Sequence, residues 1–353
     1  MTATRVRRDD GPGAATSSPS RFIRTTWLLT ASRPLEVPGQ FSIRQISVEE
    51  SRGLADQARR RNVFARHSWE NSFYINRIGE LANATVIELS LPGLLDEVLP
   101  IARARAENIE KVAVLSSALG IQRARLQRLL AVSRHRRHGF DLGISPGFEY
   151  LRSSARAEPI PRGIAVDDVF IRRFARCGFA NLVQATGLAT ALGKRLEQGV
   201  NWLFESRQEP ALNAAIVKTA IALESLLIAN DHESLRGPLA ERAAFLLSDS
   251  GAMRPRIAKV VKKFYDARSG VVHGGRRRPA SVSTGLLEGI DRVVVLLLLV
   301  LSANASSWSS SDEVVAYLEN RKWGAAAHDC SRPFPGSHLK RAIELAEKGV
   351  TGD

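Results

Sequence analysis

At 353 residues and 38.6 kDa the chain exceeds the roughly 100–200 residues of an average domain, so two domains are the expectation. Apolar residues at 44% and charged residues at 24% exclude a collagen-like, wholly disordered or membrane-embedded chain. Fifty Lys and Arg against 36 Asp and Glu give a net charge of +14, which favours a polyanionic partner, nucleic acid above all.

In chain order, residues 1–20 carry Arg5, Arg7 and Arg8 and then a Gly/Ser/Pro/Ala run. With no apolar stretch of seven or more, the segment reads as a disordered basic tail and not as a signal peptide. Residues 21–185 read as a mixed α/β domain of unassigned role. Positions 40–46 and 84–89 alternate apolar and polar side chains as half-buried strands do. Leu94, Leu95, Val98 and Ile101 predict a helix, and Leu126, Leu129 and Leu130 a second. The stretch 163–170, after Pro159 and Pro161, predicts an extended connection.

From residue 186 to about 325 the periodicity is helical. Leu196, Val200, Leu203 and Phe204 mark one helix. Leu212, Ile216, Leu223 and Leu227 mark the next, after Pro210. A third carries Leu239, Ala243, Leu246 and Leu247, and a fourth Ile257, Val260, Val261 and Phe264, which Gly270, Gly274 and Gly275 are expected to interrupt or end, with Gly270 supplying the break that would let Arg268 and His273 converge. The apolar run 293–301, bounded by Asp291-Arg292 and Ser302, is too short to span a bilayer and predicts a helix enclosed at the centre of a bundle. Residues 326–353, rich in Gly, Pro and Ala, read as a peripheral segment. The fold class expected is α+β overall, with an all-helical bundle following the mixed domain.

Two cysteines, Cys177 and Cys330, allow neither a disulfide framework nor a four-cysteine zinc site, and fit a reducing cytoplasm. There is no P-loop, GxGxxG, HExxH or GxSxG. His67, His232 and His328 lack partners at metal-ligand spacing, so neither metal nor cofactor is expected.

What remains is basic. Arg123, Arg125, Arg128, Arg134, Arg136 and Arg137, with His135 and His138, form a run free of acids that suits a phosphate backbone or a plain solvated face. Only nine of the 50 cations are lysines, and a GC-rich genome yields the same arginine bias without function. A second stretch holds Arg256, Lys259, Lys262 and Lys263, then Arg276, Arg277 and Arg278. These are the candidate nucleic-acid contacts. Between them lie Tyr265, Arg268, Ser269 and His273, an Arg-x4-His pair that arises by chance in so arginine-rich a chain unless its context supports it.

The context does. Ala222-Leu223-Glu224-Ser225-Leu226-Leu227, then residues 239–247, then Tyr265-x2-Arg268-Ser269-x3-His273-Gly274 resemble, in order and spacing, the Apea-like HEPN domain over roughly residues 195–305. The resemblance implies a helical bundle that pairs with a second copy, RNA as partner, and two Arg-x4–6-His motifs in one cleft. Many members are metal-independent endoribonucleases of bacterial defence or toxin systems; others are non-catalytic RNA-binding or dimerisation scaffolds. It implies catalytic positions for Arg268 and His273 and supporting positions for Ser269, Tyr265, Glu224 and Arg242. A structural ion pair between Glu224 and Arg268 is the competing reading.

Overall fold

The computed structural model describes residues 19–60, 78–79, 81–130, 136–145, 151–159, 163–228, 235–273, 283–324 and 329–351. The fold is α+β. A six-stranded antiparallel sheet has the order β3-β4-β5-β1-β6-β7, from strands β1 Ser20–Thr25, β3 Leu35–Val37, β4 Phe41–Gln45, β5 Thr85–Leu91, β6 Arg136–Ile144 and β7 Leu151–Pro159. A parallel pair joins β2 Leu29–Ala31 to β8 Ile164–Val166. Positions 40–46 and 84–89 thus hold β4 and β5. The expected extended stretch 163–170 is extended only through β8, because the Asp167 side chain accepts from the Phe170 N–H at 2.8 Å and starts a helix.

Alternation along the strands gives the sheet two apolar faces. Ile23, Val86 and Leu142 meet Leu54, Ala55 and Ala58 of α1 (Val48–Arg60) on one. Phe22, Ile43, Ile87 and Leu89 face α2 (Leu95–Ser116) on the other. The helix expected from Leu94, Leu95, Val98 and Ile101 exists; Leu95 is buried and Val98 packs on the core, but Leu94 and Ile101 are 71% and 56% exposed. Ala102, Ala106, Ile109 and Val112 are its buried stripe.

Under α1, Arg44 donates to Glu50 and Glu88 at 2.7 and 2.6 Å, and Arg21 joins both carboxylates. Hydrogen bonds from Arg44, then Arg21, outweigh burial and hold the Glu50 carboxyl down to about 2. Its folded value lies below the ordinary 4.5, so the stability it contributes is present above pH 4.5 and lost as pH falls toward 2. Urea unfolding of Glu50→Gln should therefore show a shallower loss of stability than wild type across that window. Parallel pH profiles would contradict this assignment.

The helical part comprises α3 (Arg123–Leu130), α4 (Asp168–Arg176), α5 (Phe179–Thr186), α6 (Ala191–Gln208), α7 (Leu212–Leu227), α8 (Arg236–Leu247), α9 (Met253–His273), α10 (Thr284–Ala303), α11 (Ser311–Lys322) and α12 (Gly336–Thr351). The run expected at the centre is there: each residue of 293–301 is 0% exposed within α10. One apolar core runs from Phe22 and Ile87 through Ile109 and Val112 to Leu196 and Leu296, with no gap at residue 185.

The carboxy-terminal segment is not peripheral. Leu339, Ala342, Ile343 and Ala346 of α12 are buried against α10. The approach depends on glycine: a Cβ on Gly289 would lie 2.5 Å from Ala346 Cβ, and one on Gly349 would lie 2.2 Å from the Leu286 nitrogen. Most of the expected tail, residues 1–18, lies outside the described residues.

Candidate functional site

Ile257, Val260, Val261 and Phe264 seat α9 in the core, and this orientation brings Tyr265 and Arg268 beside Glu224 of α7. The Arg268 Nη2 lies 3.6 Å from Glu224 Oε1, and the two side chains are about one-fifth exposed. That separation is an ion contact and not a hydrogen bond. The Arg268 guanidinium also sits 5.4 Å from the Tyr265 ring centroid. Arg268 Nε and Glu224 Oε1 are buried atoms without a hydrogen-bond partner among the described residues. Burial first, and the Glu224 charge second, push the Tyr265 phenol up to about 12, so it stays protonated at neutral pH. The exposed part of the Arg268 guanidinium, and not its buried Nε–H, is what can donate to a phosphate oxygen arriving from solvent.

Other expected site residues are placed differently. The helix runs unbroken through Gly270 to His273, so the expected break is absent. Five residues on a regular helix turn through about 140°, which places positions 268 and 273 on different sides of α9. A half-buried glycine inside hydrogen-bonded backbone continues a helix when the rest of α9 is packed. The His273 side chain lies outside the described part. Ser269 is half-buried. Arg242 is buried and donates from Nη1 to the Leu227 carbonyl at 2.7 Å, tying α8 to the end of α7.

Of the second basic stretch, Arg256 is forked onto Glu347 of α12 at 2.9 and 2.6 Å and is not a free phosphate ligand. Lys259, Lys262 and Lys263 are exposed, with Lys259 beside Glu347. Lys262 and Lys263 make no ion pair among the described residues. Arg276, Arg277 and Arg278 lie outside the described residues, as do Arg134, His135, His67, His232 and His328.

The first basic run divides between α3, which ends at Leu130, and β6, which begins at Arg136, and its first member turns inward; the side chains of Arg136, Arg137 and His138 lie outside the described part. Arg123 is buried and donates to Asp291 Oδ2 at 2.7 Å. Asp291 also accepts from Arg207 Nη1 at 3.2 Å and Thr219 Oγ1 at 3.0 Å. Glu288 accepts from the Arg123 backbone N–H at 2.7 Å and from Arg292 Nη2 at 3.1 Å. Burial raises the Asp291 carboxyl and lowers the Arg207 guanidinium. Sequence reasoning missed this network, although the 288, 291, 292 spacing of charges beside the longest apolar run was its signal.

Cys177 and Cys330 are buried free thiols, both pushed up by burial. Among the described residues no three His, Cys, Asp or Glu side chains gather as a metal site, and no helix is long and apolar enough to cross a membrane. A scan of family models, a search of curated proteins and a search of solved structures find no match.

Proposed function

We propose that this chain is a HEPN-type RNA-binding protein and a metal-independent endoribonuclease of a bacterial defence or toxin-like system, paired as a homodimer in the cytoplasm. The observation that carries the reading is Arg268: a one-fifth-exposed guanidinium with a free buried Nε, held by a 3.6 Å contact to Glu224. Cleaving RNA without a metal requires a base for the 2′-OH proton, an acid for the leaving oxygen and a cation for the charge that builds on the phosphate. Histidine titrates near neutral pH and serves either proton-transfer role, while arginine offers a fixed fork of donors. On one α9, positions 268 and 273 lie about 140° apart. A second copy supplies the missing partner, which is why the proposal includes the dimer. The sheet-bearing half would then select substrate or answer a regulatory partner.

A second reading, a non-catalytic RNA-binding or dimerisation scaffold, draws on the same Glu224–Arg268 contact and on the unbroken α9. The endoribonuclease and the RNA-binding scaffold both require RNA binding, unlike a dimerisation scaffold, and the exposed lysines make it testable. Reversing Lys259, Lys262 and Lys263 to glutamate should weaken binding to single-stranded RNA and flatten its salt dependence by about two units of log–log slope if all three touch phosphates. Filter binding between low and moderate salt reads both. Unchanged affinity and slope would leave these lysines as a solvated face; absence of RNA binding by the wild-type chain would remove the RNA reading.

A further inference from the structure

A cleft of about 720 Å³ opens between α8, the first half of α9 and α11. Its size falls within the range of small-molecule sites. Phe245, Pro255, Ala258 and Leu318 give it an apolar floor, while its walls carry four cations against two acids. Arg254 lies over the Phe245 ring, 4.1 Å from guanidinium carbon to centroid. Its Nε donates to the Ser248 carbonyl at 2.9 Å, and its Nη2 stands 3.7 Å from Asp249. The guanidinium is thus held by the ring on one side and by the Ser248 carbonyl and Asp249 at its edge, and Arg254 lines the cleft.

The other wall charges are mostly occupied. Lys322 pairs with Glu241 at 2.7 Å, and Arg242 is committed to the Leu227 carbonyl. Lys262 is different: it lines the cleft, is exposed, and makes no ion pair among the described residues. It stands eight residues beyond Arg254 on the same helix, a rise of about 12 Å. At the end of α11, just after Lys322, Trp323 is 78% exposed.

We propose that this cleft is a nucleoside-phosphate site, with the base stacked on the Arg254–Phe245 platform and the phosphate held by Lys262. A fixed guanidinium plane is a surface on which bases stack, and an unpaired lysine at the far end is a phosphate donor. Carboxylates beside the platform, Glu241 and Glu319, accept from amino and hydroxyl groups of base or ribose. A simple anion would use Lys262 alone and leave the platform idle; an apolar ligand would leave the excess cation uncompensated. The inference stands apart from the endoribonuclease reading, because it requires neither Arg268 nor His273.

The test is equilibrium dialysis of the full chain against AMP, adenosine and ribose 5-phosphate, with Lys262→Glu and Arg254→Met as variants. The proposal expects saturable AMP binding, at least tenfold weaker binding of adenosine and of ribose 5-phosphate, and at least a tenfold loss of AMP affinity in Lys262→Glu. Arg254→Met should lose AMP affinity while leaving ribose 5-phosphate binding unchanged. Displacement of AMP by a short single-stranded RNA would identify the occupant as a nucleotide of an RNA strand. AMP binding that the RNA leaves intact would identify a free nucleotide. Absence of saturable AMP binding, ribose 5-phosphate binding as tight as AMP, or wild-type affinity in Lys262→Glu would overturn the proposal, whether or not the protein binds RNA elsewhere.

Discussion

Asp291→Ala is expected to cost about 3–5 kcal/mol, because removing one partner of a buried pair leaves the other charges uncompensated. Asp291 is 0% exposed and is the acceptor for Arg123, Arg207 and Thr219 together. Arg207 is itself 0% exposed; without Asp291 its nearest carboxylate is Glu288 at 4.0 Å, which Arg292 and the Arg123 backbone already use. Net stabilities of folded proteins are only about 5–15 kcal/mol, so the variant should lose a large part of its fold at growth temperature. Asp291→Asn keeps an acceptor for Thr219 and should fall between wild type and alanine. Urea unfolding followed by far-UV circular dichroism measures the difference. A loss below about 1 kcal/mol would mean that water reaches these charges and that α10 is not enclosed.

The second large effect concerns activity. Arg268→Ala and His273→Ala should each abolish RNA cleavage while leaving the far-UV spectrum and the dimer unchanged. Arg268 is partly exposed and its only ion contact among the described residues is the 3.6 Å approach to Glu224, so the fold does not depend on it. Mixing the two inactive variants then separates a shared site from a single-chain one. After subunit exchange half the dimers are mixed, and each mixed dimer holds one intact Arg–His pair drawn from both chains, so about a quarter of wild-type activity returns if the site is shared. No recovery in a mixture verified to contain heterodimers would place arginine and histidine of each site on one chain. The roughly 140° between positions 268 and 273 on an unbroken helix argues against that.

How far the sequence carried the account depends on the range of each interaction. The helices α6 to α10 were legible because a 3.6-residue period is a local signal and the core answers it: Leu196, Leu223, Leu246, Val261 and Leu297 are all 0% exposed. Strands β4 and β5 were legible by alternation. The place of β1 was not, since its pairing with β5 joins Ser20 to Leu91 and with β6 joins Arg21 to Ile144, and no local pattern records partners so distant. Chain-end composition misled in a different way. Residues 326–353, rich in Gly, Pro and Ala, read as peripheral, but Gly349 meets Gly285 at the seam where α10 and α12 touch.

The chemistry of the site was partly legible for the same reason. Glu224, Tyr265 and Arg268 were singled out and are brought together, because they sit at helical spacing on α7 and α9. Charge counting could not separate Arg123, which is buried on Asp291, or Arg256, which is forked onto Glu347, from the exposed Lys262 and Lys263. A carboxylate partner more than ninety residues away decides whether an arginine is a phosphate ligand or a strut, and only the fold supplies it.

The most direct measurement is cleavage itself: purified full-length chain is incubated with RNA in excess chelator beside His273→Ala, and product ends are mapped. The account predicts cleavage by wild type, 2′,3′-cyclic phosphate termini, and no products from the variant. Wild-type cleavage by His273→Ala would contradict it, as would intact RNA in the wild-type reaction under conditions where the protein is shown to be bound and dimeric.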